Sequence, residues 1–177
     1  MAVSVFDLFK IGIGPSSSHT VGQMRAALMF ATDIESGGYM DRCSNLKVEL
    51  YGSLAATGAG HGSPKAILMG LEGESPATVD VDSILERITH ARETSTIKLL
   101  GKKAIAFNFR DDLIMHRQES LPFHPNGMRF TAVTEDGQTL LSTTYFSVGG
   151  GFIINETASG EELLVENDDQ VPYPFKS

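Results

Sequence analysis

The chain has 177 residues, 41% hydrophobic and 20% charged, which suits one domain with a real core and is not the composition of a disordered chain. A formal net charge of −8 argues against sequence-independent binding to nucleic acid, which needs a basic face. One cysteine, Cys43, allows no intrachain disulfide, and with no apolar run of ~20 residues and no basic-then-apolar leader the reading is a soluble cytoplasmic protein.

Ser4 to Phe9 reads as a short amphipathic piece. It leads into Gly12-Ile13-Gly14-Pro15-Ser16-Ser17-Ser18-His19-Thr20. Glycine and proline bend this stretch, and Ser18 or Thr20 can cap the helix that follows. A loop ending on a helix N-terminus offers free amide donors and partial positive charge. Two readings stay open: a small anion or carboxylate site with His19 available for proton work, or an elaborate cap with a satisfied histidine.

From Thr20 to about Glu35, Val21, Met24, Leu28 and Ala31 recur at helical spacing, and Ser36-Gly37-Gly38 stops the run. Leu46, Val48 and Leu50 alternate with polar neighbours as a half-buried strand does. Ser53 to Gly62 is small and glycine-rich, and Pro64 suits the first turn of a helix through Leu71. Pro76 to Val81 reads as extended, with Asp82 capping a helix that carries Ile84, Leu85, Ile88 and Ala91. After about Ser95 the chain turns to strands, with Asp136-Gly137 as a hairpin signal between Met128–Val133 and Thr139–Ser147. Gly149-Gly150-Gly151 bends the backbone before Phe152-Ile153-Ile154. Asn155 to Gln170 is acidic, expected as a surface loop with one helical turn, and Val171–Ser177 reads as an extended linker cut short. Helices early and strands late indicate an α+β fold, a mixed or antiparallel sheet with helices packed on it.

Of five histidines, His90 and His116 read as surface residues. His61, between Gly60 and Gly62, is either open to close approach by a ligand or another domain, or an exposed imidazole on a flexible loop. His124 and Asn126 are held by Pro122 and Pro125, either to present polar groups stiffly or simply to shape a turn. No phosphate-binding G-x-x-x-x-G-K-[ST], no G-x-S-x-G, no H-E-x-x-H and no C-x-x-C occurs, so nucleotide, serine-hydrolase and self-contained zinc chemistry lack support.

The segments Ser4–Thr20, Tyr51-Gly52-Ser53-Leu54, Gly58-Ala59-Gly60-His61-Gly62, His124-Pro125-Asn126-Gly127-Met128, Tyr145–Phe152 and Val171–Ser177 together resemble the N-terminal β domain of bacterial iron–sulfur L-serine dehydratases. Gln23 departs from this pattern, which has proline there. The resemblance implies residues 1–155 as the β domain, and 156–177 as an acidic loop and the start of a linker to a missing C-terminal catalytic domain. It implies a fold like the allosteric substrate-binding domain of phosphoglycerate dehydrogenase. It also implies conversion of L-serine to pyruvate and ammonia at a [4Fe–4S] cluster without pyridoxal phosphate, the ligands lying outside this chain, in a homodimer. On that reading His61 is the base and His19 a positioning residue or proton-network partner, while Ser16, Ser17, Ser18, Thr20, His124 and Asn126 hold the substrate. The alternative is a non-catalytic module that senses serine or an anion, or that dimerises.

Overall fold

A computed structural model describes residues 19–156 and 162–164. The expectations for the stretch through Ser18, including Ser16 and Ser17, and for Val171–Ser177 lie outside the described residues. The elements in chain order are α1 (Val21–Ser36), a 3-10 turn (Met40–Arg42), β1 (Asn45–Tyr51), α2 (Gly52–His61), α3 (Ser63–Leu71), α4 (Ile84–Thr94), β2 (Thr96–Leu99), β3 (Lys103–Ala106), β4 (Leu113–His116), β5 (Gly127–Val133), β6 (Thr139–Gly149), β7 (Phe152–Glu156) and β8 (Glu162–Leu164).

The eight strands form one mixed sheet in the order β2-β3-β1-β5-β6-β7-β8, with β4 also paired to β1. β1 is antiparallel to β5 and parallel to both β3 and β4. β3 and β4 share one edge of β1, β3 at Asn45 and β4 along Val48–Tyr51. Asp112 accepts hydrogen bonds from the Asn108 amide (2.7 Å) and the Asn45 side chain (3.2 Å), in the turn between β3 and β4.

The alternation in β1 decides which face meets the helices. Leu46, Val48 and Leu50 are fully buried, while Lys47 is exposed. Register puts Val48 beside Phe130. The Phe30 ring of α1 lies 5.4 Å from that of Phe130, and Tyr145 of β6 meets Phe130 edge-on at 5.7 Å. One core therefore runs between α1 and the sheet, and burial of such large side chains is the main stabilising contribution. The opposite face carries Lys47, Glu49, Tyr51, Arg129, Thr131 and Thr144, a period-two consequence of the same register.

The glycine-rich stretch from Ser53, to which the sequence alone assigns no element, forms helix α2, in which Leu54 and Ala55 are buried. Three expectations are corrected. The segment from Pro76 to Val81 forms turns rather than an extended strand. Ser83, not Asp82, precedes α4; Asp80 binds both the Asp82 amide and the Ser83 hydroxyl, which fixes the turn one residue later. Within the acidic segment, residues 162–164 form β8, because the edge of β7 supplies backbone partners that a helical turn would forgo. The β5–β6 hairpin forms as expected, with the Gly137 amide bonded to the Thr134 carbonyl at 3.0 Å.

Candidate functional site

β1 ends at Tyr51, and the next two residues turn the chain into α2. Gly52 has φ +53, and a Cβ there would stand 2.3 Å from the Pro125 carbonyl oxygen, so both conformation and space require glycine. Its amide donates to the Glu119 carbonyl (2.6 Å), and the Ser53 amide donates to that of Pro125 (3.0 Å). Gly52 and Ser53 are thus both held by backbone bonds to the single connection between β4 and β5. The Ser53 Oγ lies 3.4 Å from His19 Nε2.

The far end of α2 reaches the same place. His61 closes the helix, and Gly62 follows at φ +90, a left-handed cap from which α3 starts at once. A Cβ on Gly62 would touch the Thr20 methyl at 3.9 Å. The Ser63 hydroxyl, fully buried, donates to the His19 carbonyl at 3.2 Å. His19 is therefore gripped on its ring by the start of α2 and on its backbone by the start of α3.

Thr20 takes the N-cap position of α1 and is 1% exposed. Its carbonyl accepts the first intrahelical bond, from Met24, while its side chain makes no capping bond to the helix. One residue into α1, Gly22 abuts Ser147 of β6, with Ser147 Oγ 2.4 Å from where a Cβ would stand. The Asn126 side chain donates to the Ser147 carbonyl (3.1 Å), and the Ser147 amide donates to the Asn126 carbonyl (3.0 Å). His124 Nδ1 accepts the Asn126 amide at 3.0 Å, which locks the imidazole into the loop. Arg25 reaches across to the Gly151 carbonyl at 2.8 Å.

Segments from 19–22, 52–53, 61–63, 124–126 and 147 thus meet at one end of the sheet. The arrangement offers an imidazole, hydroxyls, a carboxamide and the first-turn amides of α1, which have no partners within that helix. Such a set can hold a small polar molecule with a carboxylate and move a proton. Asn126 Oδ1 and both amide atoms of Gln23 are buried without a hydrogen-bond partner among the described residues. A shallow polar groove between Asp41, Arg42, Ser44 and Thr134–Asp136 lies at the opposite end of β1 and shares none of these residues.

The family described as "Serine dehydratase beta chain" matches residues 4–158. The chain belongs to that family. It is 52% identical to an L-serine dehydratase of Streptomyces coelicolor over 100% of this chain and 39% of that protein. An L-serine dehydratase of Haemophilus influenzae is 44% identical over 99% of the chain and 38% of its own length. One of Mycobacterium bovis is 49% identical over 98% of the chain and 37% of its own length. The serine dehydratase beta-chain domain therefore spans less than two fifths of the curated relatives it matches.

Among the described residues no three His, Cys, Asp or Glu side chains gather as metal ligands. Cys43 is buried, with its thiol 3.8 Å from the Asn45 carbonyl, and burial pushes that thiol's pKa up despite the Lys103 charge. These donors do not fit an iron–sulfur cluster, which is held by several thiolates.

Ser53, Ser63 and Ser147 escaped sequence reasoning as site residues. The available signal for Ser53 was its position just after a strand, in Tyr51-Gly52-Ser53-Leu54. His116, expected at the surface, is half-buried and stacks on Tyr51 with ring centroids 4.6 Å apart and planes 10° from parallel.

Proposed function

We propose that this chain supplies the substrate-holding and acid/base part of an L-serine dehydratase, which converts L-serine to pyruvate and ammonia, and that the remaining length seen in its relatives completes the site. The observation that carries this reading is the convergence of His19, Ser53, Ser63 and the 124–126 loop on the start of α1.

In this reaction the Cα proton and the β-hydroxyl leave serine, giving aminoacrylate and water. Tautomerisation to the imine and hydrolysis then give pyruvate and ammonia. His61 takes the α-proton, since an imidazole is suited to neutral pH. His19, oriented by Ser53 and Ser63, relays protons beside it. Ser16, Ser17, Ser18 and Thr20 hold the carboxylate with the first-turn amides of α1, and His124 and Asn126 complete the polar wall. The homodimer, the cytoplasmic location and the cluster bound elsewhere belong to the same proposal.

The test is His61→Ala in the enzyme carrying this chain. kcat for pyruvate release should fall by roughly 10²–10⁴ with the thermal midpoint unchanged. Near-normal turnover would remove His61 from the base role.

A further inference from the structure

The sheet face opposite the core holds a group of charges that the reaction does not use directly. His116 of β4 lies beside Tyr51 of β1, in register with it. Its Nε2 is 3.0 Å from Glu49 Oε1, and its Nδ1 is 3.5 Å from Glu119 Oε1. Lys47 stands 3.5 Å from the same Glu49 oxygen. Arg129 of β5 lies over the other partner of the stack, its guanidinium 5.8 Å from the Tyr51 ring. It also donates to Thr144 Oγ1 at 3.3 Å. Arg117, next to His116, is exposed.

We propose that His116 is a positioning residue for the dehydratase site, setting Ser53 against His19 through Tyr51 and Gly52. The inference rests on the function proposed above. The path is short and covalent for most of its length. His116 stacks on Tyr51; the segment after His116 grips Gly52 through the Glu119 carbonyl; Gly52 is followed by Ser53. A protonated His116 bridges Glu49 and Glu119, one on the strand and one on the loop, and pins the loop to β1. Neutral His116 has one N–H and can donate to only one of the two carboxylates. The loop then loosens from Gly52, and Ser53 loses its fixed approach to His19.

The experiment compares wild type, His116→Phe and Glu49→Gln in the enzyme carrying this chain. Phenylalanine keeps a stacking ring but loses the carboxylate contacts, and Glu49→Gln keeps a hydrogen-bonding group without the charge. KM for L-serine should rise about fivefold in each variant relative to wild type, the scale of a partly exposed ion pair, with kcat moving less. An unchanged KM in either folded variant, or a fall in kcat that matches the rise in KM, overturns the proposal.

A second readout does not depend on turnover. The His19 ring proton resonance in this chain should shift in His116→Phe and in Glu49→Gln relative to wild type. If wild-type enzyme fails to deaminate serine while His19 still senses His116, the proposed function falls and the positioning link stands. If serine is deaminated and neither KM nor His19 responds to His116, only the link falls.

Discussion

Ser53 Oγ lies 3.4 Å from His19 Nε2, joining the first turn of α2 to the residue just before the N-cap of α1. The contact is specific because Ser53 is pinned by its own amide on Pro125, and His19 by its carbonyl on Ser63. Neither side chain can follow the other if one is cut back. A hydrogen bond of this kind contributes about 1 kcal/mol. Ser53→Ala should therefore lower kcat/KM for L-serine by roughly fivefold to tenfold with little change in fold. Steady-state kinetics with circular dichroism as a control checks this, and an unchanged kcat/KM would show that His19 is oriented without Ser53.

Two glycines in α2 should respond oppositely to the same substitution. A Cβ on Gly58 would stand 2.6 Å from Ser63 Oγ and 3.2 Å from Ser63 Cβ, whereas nothing among the described residues lies within 4 Å of one on Gly60. Gly58→Ala should displace Ser63 from the His19 carbonyl, lowering both stability and activity. Gly60→Ala should stabilise the domain by about 1 kcal/mol through helix propensity alone. Chemical denaturation of the pair separates these outcomes; equal shifts would mean that the α2–α3 corner yields more easily than its packing implies.

Gln23 is fully buried, and neither amide atom has a hydrogen-bond partner among the described residues. An unsatisfied buried polar group costs about 1–3 kcal/mol. Methionine has nearly the same shape and no such requirement. Gln23→Met is therefore expected to raise stability by about 1 kcal/mol, read as a higher denaturant midpoint at constant m. A lower midpoint would mean that the amide finds a partner in solution.

Much of the fold is legible in local pattern. α1, β1 and the β5–β6 hairpin follow from spacing and turn chemistry, because each buries one regular face. α2 is not legible that way. Gly58, Gly60 and Gly62 suggest a loop, yet Leu54 and Ala55 pack into the core and the helix forms around them. Tertiary burial overrides propensity there. The same limit applies to the site. His19, His61 and Asn126 stand out by their glycine and proline settings. Ser53 and Ser63 are ordinary serines whose role depends on Gly52 and Gly62 adopting positive φ, which only the folded chain reveals. His116 looks like a polar strand end because its partners, Glu49 and Tyr51, lie on a strand distant in sequence.

Glu49 predicts how stability depends on acid. Burial pushes its carboxyl up, but the His116 hydrogen bond and the Lys47 charge outweigh that and leave it below the usual carboxylate range. A carboxyl depressed on folding contributes stability above its unfolded value, and loses that contribution as pH falls through the folded value. Glu49→Gln should therefore flatten the fall in thermal midpoint as pH drops below the ordinary glutamate range. Parallel curves for wild type and variant would contradict the pairing with His116 and Lys47.

The most direct measurement of the central claim is pyruvate release from L-serine by the enzyme carrying this chain, wild type against His19→Ala. If the convergence at the start of α1 serves the reaction, wild type turns over serine and the variant loses about 10²-fold in kcat/KM while remaining folded. Equal turnover by the two folded proteins would contradict it.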